Sequence, residues 1–591
     1  MLNNKQNMLH FEFADDSGKV TPLTFSNPEE IIIARTIDEV IPCLQRVQDA
    51  VESGLYAAGY ITYEAAPAFD DAFLVNEQNK MPLLWFGLFS KPGEPVSYEP
   101  EHYSVAEWLP DVDIEEYRSR FHKIKQYIKN GDTYQVNYTI RLNSTFKGDD
   151  FSFFKQLAKG QSANYCAYIS TEEHSILSAS PELFFHLQNN KVTTRPMKGT
   201  IQRGKTYQED LSHLEQLSTS EKNRSENLMI VDLLRNDLGI IAEPGSVEVP
   251  SLFSIEQYPT VYQMTSTVTA NLSPQTTITD IFKALFPCGS ITGAPKISTM
   301  KFISELEKSP REVYCGAIGY ITPKKEAIFN VPIRTVIIEK STGKAEYGVG
   351  GGITWDSTEE DEYHEIITKA ALLQQNRPDF ELLESLNLKN GHYFLLNEHL
   401  DRMKKSAEYF GFAIGIENVA EELQKYALTN VNEEQKVRLL VSKDGQATVE
   451  GAAITASQNQ VTVALADHPI KKDDIFLYHK TTNRQIYSSF KGRFPEAYDV
   501  LLWNEQNELT EFTTGNVVLE IEGELFTPYV ESGLLPGTFR KHLLENNQIH
   551  ERTLTISDLK ICTNLWLINS VRKWVNVKHR DGWYNDGPRS C

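Results

Sequence analysis

The chain has 591 residues, too many for one hydrophobic core, so we expect several domains. Its hydrophobic content of 40% and charged content of 23% are typical of a globular protein. The formal net charge of -22, with no basic run, argues against nucleic acid or an anionic membrane as a partner. An acidic chain that binds an anionic substrate must gather Arg, Lys or a metal ion locally.

Cysteine usage and the amino terminus bear on the compartment. The six cysteines are scattered and form no Cys-x-x-Cys pair, which disfavours a disulfide framework or a zinc site. The first residues lack an apolar stretch of signal-peptide length, and no apolar run approaches the roughly 20 residues that cross a bilayer. We therefore expect a cytoplasmic protein without a membrane partner.

In chain order, residues 1–110 alternate short strands and turns, with one helix near 36–54. A helix is predicted over 113–132, where apolar residues recur at helical spacing and Gly131 supplies a stop. A helical pattern ends at Pro378 and a strand pattern follows it. We therefore divide the chain into an N-terminal part at 1–110, a catalytic region at 111–377 and a second domain at 379–585.

Two predicted helices carry carboxylates. Glu226 shares a face with Ile230 and Leu233 of an apolar helix that we expect to be buried, and Glu362, Glu365 and Lys369 share a face of the helix at 356–370. Carboxylates from two helices suit an oxygen-ligated ion such as Mg²⁺, which can hold a substrate carboxylate. Spacing alone favours the alternative that these glutamates are solvated or ion-paired.

Two further features suit an anionic ligand. The run Gly350, Gly351, Gly352 offers backbone N–H groups without side-chain obstruction, unless it forms only a tight turn. Arg334 is a forked donor that matches a carboxylate.

Seven short motifs then identify a family by their order and density. They are GDTYQVN (131–137), SPE (180–182), PMKGT (196–200), SENLMIVDLLRND (225–237), GSITGAPK (289–296), IRT (333–335) and GGGI (350–353). Over roughly residues 1–375 they resemble the chorismate-utilising enzymes. Anthranilate synthases usually carry Ala where this chain has Lys198, so the resemblance points to the branch of aminodeoxychorismate synthase component I.

The resemblance implies an α+β or α/β fold of two mostly antiparallel sheets around a chorismate cleft. It implies amination of chorismate at C4, with Lys198 as the nucleophile at C2 and Glu182 as the general acid. Glu226 and Glu365 would bind Mg²⁺ with Glu362 close by, and Arg334 would hold a substrate carboxylate together with Tyr314. Further substrate contacts are expected from Gly350, Gly351, Gly352, Thr292, Gln263 and Lys369. The family often has His at the position of Gln263, which can orient substrate but cannot act as an acid or base.

A second set of motifs follows Pro378. They are NEHLDRM (397–403), HKTTNR (479–484), LTEFTTGN (509–516) and GLLPGTFR (533–540). They resemble the class IV aminotransferase family, and within it the aminodeoxychorismate lyases. The resemblance implies a two-lobed fold with pyridoxal 5'-phosphate between the lobes. Such folds usually dimerise, so a homodimer through this domain is expected.

Each residue type meets a need of that cofactor. Lys480 would form the Schiff base and move the proton, and Glu511 would pair with the pyridine nitrogen. Arg402 would hold the phosphate, with Gly537 and Thr538 at a helix start, and Gly515 and Asn516 would line the ring. The alternative for each residue considered alone is that Lys480 is a solvated lysine in a loop and that Arg402 forms an ion pair with Glu398 on a helix surface.

The two resemblances together predict synthesis of p-aminobenzoate for folate. The first domain would make 4-amino-4-deoxychorismate and the second would expel pyruvate from it. The alternatives are anthranilate synthase component I fused to an amino-acid aminotransferase, which Lys198 disfavours, or one inactive domain that serves as a scaffold. Branched-chain and D-amino-acid transaminases share the second set of residues.

The source of ammonia is not evident in the sequence. Neither Cys288 nor Cys315 lies in a Gly-x-Cys-x-Gly nucleophile motif. We therefore expect a separate glutamine amidotransferase as a partner, or the use of free ammonium.

Overall fold

The structure is a computed structural model that describes residues 7–15, 18–94, 96, 98–371, 373, 377–431, 434–454 and 460–578. The described residues divide into two compact units. The first lies within Met1–Gln202 and Leu214–Arg377, and the second within Arg203–His213 and Pro378–Cys591. No sequence feature indicated that residues 203–213 belong to the second unit. The predicted domain end at 585 and the segment 374–376 before Pro378 lie outside the described residues.

Up to residue 377 the chain forms eight α-helices and twenty strands among the described residues. The helices are α1 (Ile37–Glu52), α2 (Ile114–Asn130), α3 (Asp150–Gln161), α4 (Tyr207–Thr219), α5 (Glu221–Gly239), α6 (Ile278–Leu285), α7 (Lys296–Leu306) and α8 (Glu359–Ala371). The strands are β1 (Met8–Phe13), β2 (Leu23–Phe25), β3 (Glu30–Ala34), β4 (Tyr56–Ile61), β5 (Leu84–Phe89), β6 (Tyr103–Val105), β7 (Leu109–Pro110), β8 (Gln135–Gly148), β9 (Tyr165–Ser170), β10 (His174–Ser180), β11 (Leu183–Gln188), β12 (Lys191–Arg195), β13 (Met197–Gln202), β14 (Glu248–Gln257), β15 (Val261–Asn271), β16 (Gly293–Ala294), β17 (Ala317–Ile321), β18 (Ala327–Asn330), β19 (Thr335–Glu339) and β20 (Lys344–Ile353).

These strands form two ten-stranded sheets. Sheet one has the order β16-β8-β20-β19-β10-β9-β1-β2, with β6 and β7 also paired to β8. Sheet two has the order β13-β15-β12-β11-β18-β17-β4-β5-β3, with β14 paired to β15. Neighbouring strands run antiparallel, for example β8 with β20 and β12 with β15. The predicted fold of two mostly antiparallel sheets is confirmed.

Apolar side chains join the layers of the first unit. Leu9 and Phe11 of sheet one share a buried cluster with Tyr60 and Ile318 of sheet two, so the two sheets pack face to face. A second cluster joins sheet two to α1, α5 and α6, and a third joins sheet one to α2, α3, α7 and α8. The unit is therefore layered as helices, sheet, sheet and helices, and burial of these faces is its main source of stability.

The helices follow local sequence signals. In α2, the Asp113 carboxylate accepts from the Glu116 backbone N–H, and Gly131 ends the helix in the left-handed conformation, as predicted. In α8 the capping pair is Thr358 with Asp361: the Thr358 hydroxyl donates to the Asp361 carboxylate and accepts from the Asp361 backbone N–H. The expectation that the helix around Glu226 is buried on most sides is wrong, because α5 buries one face and leaves side chains such as Leu228 exposed.

The second unit has two lobes. Its helices are α9 (Leu396–Phe410), α10 (Ile416–Thr429), α11 (Gln485–Arg493) and α12 (Thr538–Glu545). Its strands are β21 (Leu382–Lys389), β22 (His392–Tyr393), β23 (Glu434–Val441), β24 (Ala447–Ala453), β25 (Val461–Thr462), β26 (Ala464–Leu465), β27 (Val500–Trp503), β28 (Leu509–Phe512), β29 (Gly515–Ile521), β30 (Glu524–Thr527), β31 (His550–Glu551), β32 (Asn564–Asn569) and β33 (Lys573–Lys578).

The smaller lobe packs α9 and α10 on a four-stranded sheet of order β22-β21-β23-β24. The larger lobe is a nine-stranded mixed sheet whose main path runs β25-β33-β32-β29-β28-β27-β26. The predicted two-lobed fold is confirmed. Among the described residues, none of the helices combines the length and apolar character that crossing a membrane requires.

Candidate active sites

Glu182 lies where the chain crosses from sheet one to sheet two, between the end of β10 and the start of β11. The Ser180 hydroxyl fixes this crossing, because it donates to the Val331 carbonyl at 2.6 Å and accepts from the Glu182 backbone N–H at 3.1 Å. The Glu182 side chain is buried. The crossing therefore places one carboxyl group between the two sheets.

Burial raises the pKa of Glu182 to about 7, even though a hydrogen bond from Ser290 and the charge of Lys198 lower it. The Ser290 hydroxyl donates to Glu182 Oε1 at 2.6 Å. A carboxyl group with this pKa carries a proton in part of the population near neutral pH. Its protonation suits the predicted role as a general acid.

Lys198 lies on a β-bulge. The pairing of β13 with β15 is Met197 with Thr265 and Thr200 with Gln263, and the register shifts between them. Gly199 has a φ of 99°, in the left-handed region that favours glycine. A bulge redirects side chains out of the regular alternation of a strand. The PMKGT motif therefore encodes the backbone that aims Lys198.

Two side-chain amides hold this bulge. The Asn227 amide donates to the Lys198 carbonyl at 3.2 Å and accepts from Ser266, and the Gln263 amide donates to the Gly199 carbonyl at 2.9 Å. Gln263 also accepts from the Thr200 hydroxyl. Gln263 was predicted to orient substrate, and its observed contacts position the lysine-bearing strand.

The amino group of Lys198 reaches β20 of sheet one. A Cβ atom added at Gly352 would lie 2.3 Å from Lys198 Nζ and 2.0 Å from Gln135 Nε2, so only glycine leaves room for both. The side chain of Gln135 is buried, and in the described part of the chain neither of its polar atoms has a hydrogen-bond partner. The sequence interpretation assigned Gln135 no role, although it lies in the GDTYQVN motif.

Two of the three predicted metal ligands meet at Gly351. A Cβ atom there would lie 2.9 Å from Glu362 Oε2 and 3.7 Å from Glu365 Oε1. Burial and the charge of Glu365 raise the pKa of Glu362. The neighbouring Lys369 ammonium, 2.6 Å away, lowers the pKa of Glu365. A pair of close, mutually repelling carboxylates is the donor set through which proteins hold Mg²⁺, so these residues fit the ion.

Glu226, the third predicted ligand, is half-buried on α5. Over the described ranges, no three His, Cys, Asp or Glu side chains are grouped closely enough to hold a metal ion. A metal contact by Glu226 therefore stays a prediction, whereas Glu362 and Glu365 come together without it.

The predicted substrate-binding residues of the first unit differ in their surroundings. Gly350, Gly351 and Gly352 lie within β20, in register with Thr139, Tyr138 and Asn137 of β8, so the alternative of a tight turn is wrong. Lys369 donates to the Gly350 carbonyl at 2.7 Å. The Thr292 hydroxyl donates to the carbonyls of Cys288 and Gly289 in the turn that carries Ser290.

Arg334 and Tyr314 were predicted to share a substrate carboxylate. The Arg334 guanidinium donates to the Gln161 side chain at 2.6 Å and lies over the ring of Tyr258. Burial lowers the pKa of Arg334. The ring of Tyr314 contacts the Arg141 guanidinium, and it fills the space that a side chain at Gly348 would need. The pairing of Arg334 with Tyr314 stays a prediction.

The second unit contains a cavity of about 580 Å³. All seven residues predicted to bind the cofactor line it, although they come from four separate motifs: Lys480, Glu511, Arg402, Gly537, Thr538, Gly515 and Asn516. The volume lies in the ordinary range for a cofactor and small-ligand site.

Lys480 faces this cavity, and its ammonium group is destabilised there. Burial, followed by the charges of Arg484 and Arg402, lowers the pKa of Lys480 to about 7. The alternative of a solvated loop lysine does not agree with this environment. A lysine that is partly neutral near pH 7 is suited to forming an imine.

Glu511 supplies the carboxylate that a pyridine nitrogen needs. It lies on β28 opposite Asn516 of β29, accepts from the Tyr487 hydroxyl at 2.8 Å, and accepts from the Asn516 amide at 3.3 Å. Burial raises the pKa of Glu511 to about 7. Burial outweighs the charges of Arg484 and Lys480, and a protonated pyridine ring would add a further cation beside this carboxyl group. This end of the cavity therefore fits pyridoxal phosphate.

At the other end, Arg402 is held by Glu384 rather than by Glu398, so the alternative of an i−4 ion pair is wrong. Nε and Nη2 of Arg402 donate to the two oxygens of Glu384 at 2.8 and 2.6 Å. His399 contacts the same carboxylate at 2.7 Å and the Thr538 hydroxyl at 3.3 Å. Thr538 is the first residue of α12 and Gly537 its N-cap, as predicted. A rigid cation beside a helix start fits a phosphate group.

Burial alone would raise the pKa of Glu384, but the charges of Arg402 and His399 outweigh it and lower the pKa to about 2. The sequence interpretation missed Glu384. Its only signal is a glutamate within the apolar strand LLESLNLK, since Arg402 lies eighteen residues further along the chain. The sequence interpretation also assigned no role to Ser290 or Asn227, although Ser290 lies in the motif GSITGAPK and Asn227 in SENLMIVDLLRND.

Comparison with known proteins finds a different family for each of two parts of the chain. Residues 93–375 match the family described as chorismate binding enzyme, and residues 381–579 match amino-transferase class IV. Aminodeoxychorismate synthase component 1 of Klebsiella aerogenes is 43% identical over 262 residues, which are 44% of this chain and 58% of the relative. The protein of the same name from Bacillus subtilis (strain 168) is 40% identical over 253 residues, 43% of this chain and 53% of the relative. The chain thus spans little more than half of these relatives.

Two solved structures share the fold of the first unit. Anthranilate synthase component I from Streptococcus pneumoniae TIGR4 superposes with a TM-score of 0.51 and 23% identity over 64% of this chain and 94% of its own. A putative 2,3-dihydroxybenzoate-specific isochorismate synthase from Bacillus anthracis superposes with a TM-score of 0.53 and 18% identity over 63% and 96%. The chain therefore joins a member of the chorismate binding enzyme family, over residues 93–375, to a member of the class IV aminotransferase family, over residues 381–579.

Proposed function

We propose that the chain makes p-aminobenzoate in two steps, amination of chorismate at C4 in the first unit and elimination of pyruvate in the second. The observation that carries the proposal is the Lys198 amino group, which a β-bulge aims into the space at Gly352 beside the paired carboxylates of Glu362 and Glu365. A buried acid, Glu182, is close enough for the Lys198 charge to lower its pKa.

In the first reaction, Lys198 Nζ bonds to C2 of the chorismate ring while both conjugated ring double bonds shift and the C4–O bond breaks. The proton of Glu182 passes to the departing oxygen, which leaves as water. Ammonia then bonds to C4, both double bonds return to their original positions, and the C2–N bond breaks to free the Lys198 amine. Glu182 serves as the acid because its pKa of about 7 leaves it partly protonated near neutral pH.

Glu362 and Glu365 would hold Mg²⁺, which would neutralise a carboxylate of the substrate. The two side chains project from α8 to the same point at Gly351, so their position is fixed by the helix and by β20. Lys369, which contacts Glu365 and the Gly350 carbonyl, fixes the helix against the strand. Glu226 is the third candidate ligand.

In the second unit, bound pyridoxal phosphate would supply an electron-withdrawing ring for breaking bonds next to the substrate amine. Lys480 would hold the cofactor, and its pKa of about 7 lets it both take and return a proton. Glu511 would keep a proton on the ring nitrogen. Arg402, Gly537 and Thr538 would hold the phosphate, and Gly515 and Asn516 would line the ring.

The chemistry of the product supports the order of the two steps. The product of the first reaction carries an amine, which the second site can bind, and loss of pyruvate makes its ring aromatic. Ammonia would come from a separate glutamine amidotransferase, in line with the "component 1" in the relatives' names. The proposed setting is the cytoplasm, and the proposed assembly is a homodimer through the second unit.

The test is product analysis. The purified chain is incubated with chorismate, Mg²⁺, ammonium and pyridoxal phosphate, and the products are identified by liquid chromatography and mass spectrometry. p-Aminobenzoate and pyruvate in equal amounts are expected. Accumulation of aminodeoxychorismate would contradict the second step only, whereas anthranilate would contradict the first and favour the anthranilate synthase alternative.

A further inference from the structure

The loop between β20 and α8 binds one of the two carboxylate oxygens of Glu362. The Ser357 hydroxyl donates to Glu362 Oε1 at 2.6 Å and accepts from the Thr354 backbone N–H at 3.1 Å. Ser357 is buried. The other oxygen, Glu362 Oε2, is the one that would lie 2.9 Å from a Cβ atom at Gly351, where the two paired carboxylates meet. Glu362 therefore presents a single oxygen to the place proposed for the ion.

Glu365 is restricted in a similar way. The Lys369 ammonium lies 2.6 Å from Glu365 Oε1 and also donates to the Gly350 carbonyl at 2.7 Å. Each of the two carboxylates therefore has one oxygen in contact with a donor of the protein. Such contacts fix the direction in which a carboxylate can bind an ion.

The loop that carries Ser357 is itself held by Lys125 of α2. The Lys125 ammonium donates to the backbone carbonyls of Thr354, Trp355 and Ser357, at 3.2 Å for Thr354 and 3.0 Å for Ser357. It also lies 5.1 Å from the centre of the Trp355 ring. Three carbonyls that converge on one ammonium fix the backbone of this loop. The Ser357 hydroxyl is therefore positioned independently of its contact with Glu362.

A fixed carboxylate with one available oxygen does not suit all divalent cations equally. Mg²⁺ requires near-octahedral geometry and is usually held by one or two carboxylates together with water and substrate. Ca²⁺ takes about six to eight oxygen ligands in flexible geometry and often uses both oxygens of one carboxylate. Restriction of Glu362 to one oxygen therefore favours the smaller ion.

We propose that Ser357 is a specificity-determining residue of the ion site. By occupying Oε1 of Glu362 it makes that carboxylate a ligand of one oxygen, which biases the site toward Mg²⁺ and against Ca²⁺. The inference rests on the proposed function, in which Glu362 and Glu365 hold Mg²⁺, and it adds the discrimination between divalent cations. Ser357 acts through Glu362 and does not contact the ion.

The test measures binding of the metal ions alone to the full-length chain. Mn²⁺, which also prefers oxygen ligands, is bound first, and electron paramagnetic resonance measures its free concentration while Mg²⁺ or Ca²⁺ displaces it. Glu362→Gln measures the ions held elsewhere on this chain of net charge -22, and that contribution is subtracted. The variant is Ser357→Ala. Thr358→Val is the matched control, because the Thr358 hydroxyl caps the same helix through Asp361.

We expect the unmodified protein to bind Mg²⁺ more tightly than Ca²⁺. Ser357→Ala should lower the ratio of the two affinities by about tenfold or more, the scale on which groups behind a metal ligand act. Thr358→Val removes a helix cap and should leave the ratio unchanged. A merely structural role of Ser357 would weaken binding of both ions by the same factor. An unchanged ratio in Ser357→Ala, or a preference of the unmodified protein for Ca²⁺, would overturn the inference.

A second variant keeps the hydroxyl and frees the loop. Lys125→Met removes the donor to the three carbonyls, so Glu362 gains freedom and the ratio should fall, by less than in Ser357→Ala. Lys123→Met, an exposed lysine on the same helix, is its control and should change nothing. A fall in Ser357→Ala alone would support the role of Ser357 and overturn that of Lys125.

The remaining outcomes separate this inference from the proposed function. Formation of p-aminobenzoate with Mg²⁺ by a protein whose ratio is unchanged in Ser357→Ala would leave the proposed function standing and overturn the role of Ser357. Equal binding of Mn²⁺ by the unmodified protein and by Glu362→Gln would contradict the ion site itself and the inference with it. Far-ultraviolet circular dichroism shows whether each variant is folded.

Discussion

The Ser290 hydroxyl donates a 2.6 Å hydrogen bond to Glu182, which lies 108 residues earlier in the chain and at the crossing between the two sheets. Burial raises the pKa of the carboxyl group, and this hydrogen bond limits the rise by stabilising the ionised form. The pair therefore sets how much of Glu182 is protonated near neutral pH.

Replacement of Glu182 by Gln should reduce kcat for amination by about 10²–10⁴-fold, the usual contribution of a general acid. In the unmodified protein the acid form is present below a pKa of about 7, so the rate should fall as pH rises through that value. The measurement is the rate of chorismate consumption as a function of pH. Ammonium is saturating at every pH, and the rates are corrected for the change in the concentration of free ammonia.

Ser290→Ala is the companion variant. It removes the donor that lowers the pKa of Glu182, so the falling limb of the profile should move to higher pH while Glu182 is kept. A profile that keeps its position in Ser290→Ala, or that survives in Glu182→Gln, would mean that another group is the acid.

The two lysines should separate the two reactions. Lys198→Ala should stop amination and leave conversion of supplied aminodeoxychorismate unchanged, and Lys480→Ala should do the reverse. Each loss should exceed about 10³-fold, the scale on which enzymes lose a nucleophile or base. Each variant is the control for the other, and an inactive domain would be revealed by a lysine whose loss changes neither reaction.

Gln263 should act on Lys198 through the backbone. Gln263→Leu removes the donor to the Gly199 carbonyl and the acceptor for Thr200, which should destabilise the first unit by about 1–3 kcal/mol. Because a displacement of about 1 Å costs on the order of 10²-fold in rate, kcat should fall by that factor while KM changes little. Thr267→Val, on the same strand, is the control. A rise in KM with unchanged kcat would instead assign Gln263 to substrate binding.

Motif order in the sequence predicted both folds and the seven residues that line the cavity of the second unit, because glycines, prolines and paired charges recur where backbone shape and chemistry require them. The bulge at Lys198 is an example. The PMKGT motif predicted a functional role for Lys198, and the φ of 99° at Gly199 explains why glycine follows the lysine in this motif.

Contacts between different secondary-structure elements could not be predicted from the sequence. Nothing in LLESLNLK says that Glu384 pairs with an arginine on α9, because that contact depends on how the helix packs on β21. Helical spacing suggested Glu398, four residues before Arg402, because that spacing describes contacts within one helix and not contacts with a neighbouring strand. Gln135 was missed for a similar reason. Its polar side-chain atoms have no hydrogen-bond partner among the described residues because of the space at Gly352, which residues of both sheets surround.

The last prediction concerns Glu384, which holds both Arg402 and His399 in the buried end of the cofactor cavity. Glu384→Gln leaves the Arg402 charge without its partner, and loss of one member of a buried ion pair typically costs about 3–5 kcal/mol. The free energy of unfolding of the second unit should fall by that order, and its affinity for pyridoxal phosphate should fall as well. Denaturant unfolding and cofactor titration measure the two effects.

The pH dependence has a definite sign. The pKa of Glu384 is lowered to about 2 in the folded protein, so its contribution to stability is present above its ordinary pKa of 4.5 and is lost as pH falls toward 2. Glu384→Gln should remove this part of the acid sensitivity. Glu398→Gln, the neighbour that the i−4 rule favoured, should change stability by less than about 0.5 kcal/mol. Equal losses in the two variants would show that Arg402 depends on general charge around α9 and not on its contact with Glu384.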